Sequence, residues 1–432
     1  MGEQLDQRSA SHGGRAETVI VGAGIAGVAA AHNLNAQGHD DVLVLDGRPP
    51  LSLTTAASGE NYRDYWPHPA MRDLSSASID LMEKLMADHG DVFSMRQSGY
   101  LFASRRPGHE IFPSADSPSV MRGGATERIE DLDVIRQRWP HLSLAIEHVV
   151  VIPRAGSIDV QSLGNLLLST ARRRGVVFEQ ETVLTLTAER TGFRIVTDRR
   201  TIRTERIVLA AGPFVDSLAA QLDVELPLSH VAQRKFVMPD PLGVVPRDMP
   251  FTINADPVDL DLSDDERADA ALNPDLRWLL ETLPAGLHIK PESGGRIKLG
   301  WAYNRTSDRS PAWRVAEDPI FPSVVIRGAS QLIPGLKSYV DRLPLPVVQY
   351  GGYYSRTPEN WPLIGPTERL GFYVIGGLSG FGTMTACGAG DLIARHIDGR
   401  ELPSYANHLS PLRYRDPDIM AEMAALPSDG QL

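Results

Sequence analysis

The stretch Thr18–Asp46, TVIVGAGIAGVAAAHNLNAQGHDDVLVLD, sets a β-branched run against three spaced glycines and an alanine-rich segment. It reads as strand, tight turn, helix and second strand, the last running from Val42 to Leu45. Gly22 allows the sharp turn, Gly24 leaves room for a pyrophosphate beside the backbone, and Gly27 lets the helix lie close on the sheet. Free N–H groups where the helix begins, at Ile25 and Ala26, favour phosphate. Asp46 closes the second strand, where a carboxylate accepts hydrogen bonds from a ribose diol and repels a 2′-phosphate. Spaced glycines alone are a weak signal. Here strand, helix and acid stand in the right order, and the reading is a dinucleotide site.

The chain has 432 residues, room for two or three domain cores, and its hydrophobic content of 42% marks a soluble globular protein. Its 43 basic and 54 acidic residues leave a formal net charge of −11. That balance argues against an extended nucleic-acid face or a basic membrane patch. The single cysteine, Cys387, excludes an internal disulfide framework and a multi-cysteine metal site, and fits a reduced, cytoplasmic setting. No metal site is expected, no stretch is long and apolar enough to span a bilayer, and the polar ends, 1–16 and 416–432, read as flexible tails.

Beyond Asp46 the alternation of strand and helix lapses and returns. Ser75 to Gly90 reads as an amphipathic helix capped by a serine, Gly99 to Ser104 as a strand, and Glu127 to Trp139 as a helix stopped by Pro140. The βαβ rhythm resumes with a helix from Leu163 to Arg174 and strands at Val176 to Glu179, Phe193 to Thr197 and Arg203 to Ala210. The last of these ends in Ala210-Ala211-Gly212-Pro213, small residues that let backbone approach a ligand. Asp256 to Pro284 reads as an acidic insertion of helical character. Leu287 to Trp301 reads as a hairpin turning at Glu292-Ser293-Gly294-Gly295. Near the end, a strand from Phe372 to Ile375 runs into a second glycine-rich junction and a helix.

With both junctions in view, the chain resembles the D-amino-acid oxidase superfamily of flavoproteins, in particular its sarcosine oxidase and glycine oxidase branch. The resemblance rests on GAGIAG with Asp46, on the strand ending AAGP, on SRTPENWPLIG (355–365) and on GGLSGFG (376–382). It implies a doubly wound α/β domain for non-covalently held FAD, assembled from 1–90, 150–228 and 350–415. A mixed, antiparallel-sheet substrate domain would come from 91–149 and 229–349. It also adds Gly47, Arg48, Ser58, Gly59, Val183, Ala211, Gly212, Gly377, Ser379, Gly380, Phe381, Gly382 and Thr383 to the cofactor site. A helix starting near Thr385 would aim its positive end at the late loop.

The departures from the family pattern concern the substrate. Where sarcosine oxidases carry a flavin-bonding cysteine, this chain has Gly352. Tyr354 stands where glycine oxidases and D-amino-acid dehydrogenases carry a carboxylate-holding arginine, and Met384 where sarcosine oxidases carry a lysine. Aromatic residues take their place: Tyr62, Trp66, Tyr353 and Phe381 join Tyr354 and Met384 as candidates around the substrate, able to flank an alkylated ammonium. Arg63 lies where relatives place arginines near flavin and substrate. Lys298, in IKLGW, resembles the lysine of LKLGY that helps reduced flavin react with oxygen. His68, His230 and His288 show no spacing for a metal or a triad.

The resemblance implies FAD-dependent oxidation of a carbon–nitrogen bond in a secondary or tertiary amine, or an amino-acid-like substrate, by hydride transfer to flavin with oxygen as electron acceptor. Two alternatives stay open: a flavin-dependent hydroxy-acid dehydrogenase, and an FAD-binding subunit that relays electrons to a partner.

Overall fold

Small side chains let two helices from opposite ends of the chain touch backbone to backbone. In the computed structural model, which describes residues 14–107 and 126–425, the helices are Ile25–Ala36 and Gly382–Asp398. A Cβ added to Gly390 would lie 2.6 Å from the carbonyl carbon of Ala29 and 2.9 Å from Ala30 N, and both alanines are fully buried. Gly388, on the same late helix, approaches a third helix, Pro69–His89, a little less closely: its Cβ would lie 3.0 Å from Leu74 O and 3.2 Å from Ser78 Cβ.

These helices cover one face of the first sheet, whose backbone path runs Leu363–Pro366, Phe372–Gly376, Thr201–Leu209, Arg15–Val21, Val42–Asp46, Val177–Gln180. Apart from the first strand, neighbours along it are parallel. Two antiparallel strands, Phe193–Thr197 and Val183–Ala188, extend it from Thr201–Leu209. Alternation sorts the side chains between two cores. Ile20, Val44 and Val208 pack with the helices, whereas Val19, Leu43 and Ile207 pack with Phe193, Val215 and Leu222 on the other face. The parallel strands end along one edge, so the loops after Val21, Asp46, Leu209 and Gly376 gather there, as ligand-binding loops of doubly wound sheets do.

The second sheet is mostly antiparallel, in the order Val348–Arg356, Ser229–Pro239, Arg296–Gly300, His288–Glu292, Phe251–Asn254, Tyr100–Ser104, His148–Ile152, Glu127–Ile129. It has a core of its own, in which Phe236, Met238, Ile289, Ile297, Leu299 and Trp301 pack under the helix Phe321–Leu332.

Several elements differ from the sequence reading, each for a local reason. The helix expected at Ser75 begins at Pro69, because His68 Nδ1 accepts from Ala70 N and proline fits the first helical position; Ser75 and Ser76 are buried inside it. The region Glu127 to Trp139 splits into a strand, Glu127–Ile129, and a short helix, Leu132–Arg138, capped by Asp131. The late helix begins at Gly382 and not near Thr385, whose amide and hydroxyl both bond back to Phe381 O. Both expected tails carry structure near their inner ends. Arg15 opens the central strand, with Ala16 fully buried. Asp416 caps the helix Pro417–Ala424, which buries Met423 and packs Ile419 and Met420 on the core. The outer parts, residues 1–13 and 426–432, lie outside the described residues, as does the stretch 108–125 of the expected substrate domain. No described helix is long and apolar enough to cross a membrane.

The Gly390 contact yields a stability prediction. An alanine there must push the two helices apart, because the atoms it would meet are backbone and cannot rotate away. Gly390→Ala should lose about 1–3 kcal/mol by chemical denaturation, the usual cost of overpacking. Gly399→Ala, at a helix-ending glycine with φ +64° and open space around it, should lose about 1–2 kcal/mol through left-handed backbone strain alone and leave the interhelical packing intact. Equal stability of Gly390→Ala and the parent would show that the helices can separate without cost.

Candidate cofactor and active site

The loops gathered at the strand ends form the walls of one cavity. Gly22 turns the chain at φ +106°, and a Cβ there would lie 2.4 Å from Ala210 O. At Gly27 an added Cβ would lie 1.9 Å from Gly22 O, so this glycine sets the spacing between helix and turn and does not line the cavity. Gly24 lines it. The nearest atom to a Cβ at Gly24 is Thr55 Oγ1 at 3.5 Å, so the missing side chain leaves space rather than relieving a clash. Ile25 and Ala26 follow in the wall, at the start of a helix with no acidic residue in its first turn.

Asp46 holds the turn by its own hydrogen bonds. Its Oδ2 accepts from Ala23 N (2.7 Å) and its Oδ1 from Arg48 N (2.9 Å), tying the glycine turn to the next strand. Each oxygen keeps a lone pair for a ribose hydroxyl. Burial raises the pKa of Asp46 above the ordinary carboxylate value, against the pull of these two N–H groups.

The late loop closes the other side. Gly377 takes φ +65°, and Ser379 holds the left-handed conformation at φ +45°, fixed by its N–H to Ser355 O (2.9 Å) and by Arg356 Nε to its hydroxyl (3.2 Å). A side chain on Gly380 would strike the Tyr354 ring at 2.7 Å. Ser58 and Thr383 join the two chain ends through a hydroxyl–hydroxyl bond of 2.6 Å. Gly47, Arg48, Gly59, Val183, Ala211, Gly212, Gly382, Tyr353 and Tyr354 also line the cavity, as do several residues that the sequence did not single out. Phe214, Trp313 and Lys235 are among these. Trp313 packs at a tilt against Phe214 (centroids 4.5 Å apart) and under the Arg48 guanidinium (4.9 Å), and Tyr353 holds that loop by accepting from Ala312 N and donating to Asp308.

Other candidates are placed elsewhere. Tyr62, Arg63 and Trp66 are buried below the cavity and do not line it: the strand Asn61–Arg63 pairs with Ala155–Ser157, and the Arg63 guanidinium lies over Trp66 (4.5 Å) and Phe102 (5.3 Å). Burial pushes its pKa down to about 10. Phe381 packs edge-on against Trp66 (4.9 Å), and Met384 is buried with it in the same core. Lys298 lines a separate hollow with Glu292, Arg296 and Tyr350, and its ammonium meets Glu60 (3.0 Å) and Glu292 (2.7 Å). Burial alone would lower its pKa, but Tyr350 and the two carboxylates outweigh burial and hold it above the ordinary lysine value. The histidines are hydrogen-bonded: His68 caps a helix, His230 bonds Ser355 and pairs with Asp216, and His288 bonds Gly286 O.

FAD fits these residues. Its pyrophosphate would have the Gly22–Gly24 turn and the positive end of a helix whose first N–H, at Ile25, is not free as expected but donates to Thr55 Oγ1 (3.1 Å); its ribose would have Asp46, and its ring a glycine loop at the head of a second helix. Gly352 lines the cavity without a side chain to bond a flavin, and Cys387 is buried with its thiol pushed up to about 12.

Comparison with known proteins agrees. The family model for FAD dependent oxidoreductases matches residues 17–396. The mitochondrial dimethylglycine dehydrogenase of Homo sapiens is 25% identical over 420 residues, covering 93% of this chain and 44% of that protein. The chain thus spans less than half the length of that relative. The D-amino acid dehydrogenase of Rhizobium johnstonii is 22% identical, with 92% and 100% covered. The crystal structure of L-proline dehydrogenase from P. horikoshii superposes with a TM-score of 0.75 at 22% identity, over 93% of this chain and 98% of that one, which shows a shared fold.

Two outcomes follow for the cofactor. Gly24→Val should fold but purify without flavin, since the valine would stand in the pyrophosphate's space; a yellow variant would contradict this placement. Acid precipitation of the parent protein should release its flavin into the supernatant, and colour kept in the pellet would show a covalent bond.

Proposed function

We propose that this chain, which belongs to the FAD dependent oxidoreductase family, oxidises a carbon–nitrogen bond in a secondary or tertiary amine of amino-acid type, with oxygen as the electron acceptor. The observation that carries this reading is the absence of a histidine or a free carboxylate beside Tyr354 among the described cavity walls. The described cavity walls contain no histidine, and their two carboxylates are engaged elsewhere: Asp46 by backbone N–H groups, and Glu181 by Thr197 and Arg200. Oxidation of an alcohol calls for a group to take the hydroxyl proton. A neutral amine needs none, because its nitrogen lone pair assists departure of the α-hydrogen and water hydrolyses the resulting iminium. FAD, when bound, supplies the two-electron acceptor. The protein's part is to orient the amine with its α C–H toward that acceptor and to keep it neutral, with the Tyr354 ring as one wall.

The names of the relatives support the same class. Dimethylglycine, D-amino acids and L-proline each set the carbon–nitrogen bond next to a carboxylate. The test is anaerobic reduction of the bound flavin, followed by loss of its visible absorbance, with N-alkylated amino acids, primary amino acids, carboxylate-free amines and 2-hydroxy acids. N-alkylated amino acids should bleach the flavin and 2-hydroxy acids should not. Bleaching by hydroxy acids alone would overturn the reading in favour of C–OH oxidation. Failure of the whole panel would point to a flavin that serves a partner.

A further inference from the structure

We propose that Lys235 is the anchor for the substrate's carboxylate, an inference that rests on the amine reading above. The two positions where the family resemblance leads one to expect a carboxylate-binding cation hold Tyr354 and Met384, and Arg63 lies below the cavity. Lys235 reaches the cavity from the second sheet. It stands opposite Gly300 on one neighbouring strand and Tyr350 on the other, and strand alternation puts Lys298, Gly352 and Tyr354 on the same face.

Two glycines make way for its stem. A Cβ on Gly300 would lie 2.9 Å from Lys235 Cγ, and one on Gly59, itself in the cavity wall, 3.4 Å from Cε. The residue is 7% exposed, and among the described residues no hydrogen bond or ion pair reaches its ammonium. The Tyr354 ring centroid lies 5.5 Å from Nζ, and the buried His288 has its pKa brought down to about 3 by burial and then by the Lys235 charge. His288 is therefore neutral and adds no second positive charge there.

A buried cation without a partner is costly and calls for an anion. Nearby cations are already matched: Lys298 by Glu60 and Glu292, and Lys290 by Glu292. Arg48, the other cation in the described walls, lies over Trp313 at the Asp46 end, where the ribose belongs. Arg356, whose guanidinium lies over the Tyr354 ring at 5.3 Å, bonds the Ser379 hydroxyl and does not line the cavity, so Lys235 holds the unmatched positive charge in the described wall beside Tyr354. A ligand carboxylate there would gain a charge-assisted hydrogen bond and leave the amine end of the substrate toward the aromatic wall.

The test uses the FAD-loaded protein and two inert probes, methoxyacetate and 2-methoxyacetamide, in which an ether oxygen replaces the reactive nitrogen. Binding is read by calorimetry and by perturbation of the visible flavin spectrum. Lys235→Met should weaken methoxyacetate at least about tenfold, equivalent to about 1.4 kcal/mol, and leave the amide's affinity and FAD retention unchanged. Lys235→Arg should restore most of the acid's affinity. Equal weakening of both probes would mean that Lys235 acts by packing. Looser FAD with unchanged methoxyacetate affinity would mean that it serves the cofactor. Either result overturns the proposal, as does a parent protein that binds the amide and not the acid. If the anchor holds but no amine bleaches the flavin, the reaction assignment fails alone.

Discussion

The close approach of Gly390 to the Ala29–Ala30 backbone is the constraint on which the rest of the site depends. A helix from the start of the chain and one from its end can converge on one cavity only because their crossing point carries almost no side chain. Both helices then present their N-terminal ends to that cavity, and neither has an acidic residue in its first turn to cancel the partial positive charge. The Ser58–Thr383 bond fastens the same two chain ends at the cavity wall. On this reading one end of the chain would prepare the phosphate site and the other the ring site, and neither would be complete alone.

The second sheet supplies charge where the first supplies backbone. Lys235, Lys290 and Lys298 share one face of three adjacent strands, a crowding of like charge that must be relieved. Glu292 meets two of them, and Glu60, just before the strand Asn61–Arg63, reaches Lys298. The relief is uneven. Burial and the neighbouring Lys298 lower Lys290 to about 8, whereas Tyr350 and the two carboxylates hold Lys298 charged. Lys235 has no carboxylate partner among the described residues, which places the unbalanced charge at the cavity. For oxygen chemistry, this arrangement shows Lys298 as a cation already countered by two anions, in a hollow of its own.

The Thr18–Asp46 segment was legible because each glycine answers a backbone requirement that no other residue meets: a positive φ at Gly22, space at Gly24, contact at Gly27. The late loop was legible for the same reason. Side-chain direction was not. Family resemblance located the segment containing Tyr62, Arg63 and Trp66, but the pairing of Asn61–Arg63 with Ala155–Ser157 decided that these side chains enter the core. Lys298 matched a motif, yet its surroundings come from Glu60, far away in sequence. Lys235 carries no local signal, since its position follows from register across three strands and from two distant glycines. The helix read at Ser75 starts six residues earlier, at Pro69, because a histidine side chain caps it, a pattern that serine-based cap signals do not anticipate.

The central claim, that both ends of the chain build one FAD site, is tested most directly by hydrogen–deuterium exchange on apoprotein titrated with FAD. The account predicts that amides in residues 22–28 and 376–386 gain protection together, with the same dependence on FAD concentration. Protection confined to residues 22–28, with the late loop exchanging as in the apoprotein, would contradict it.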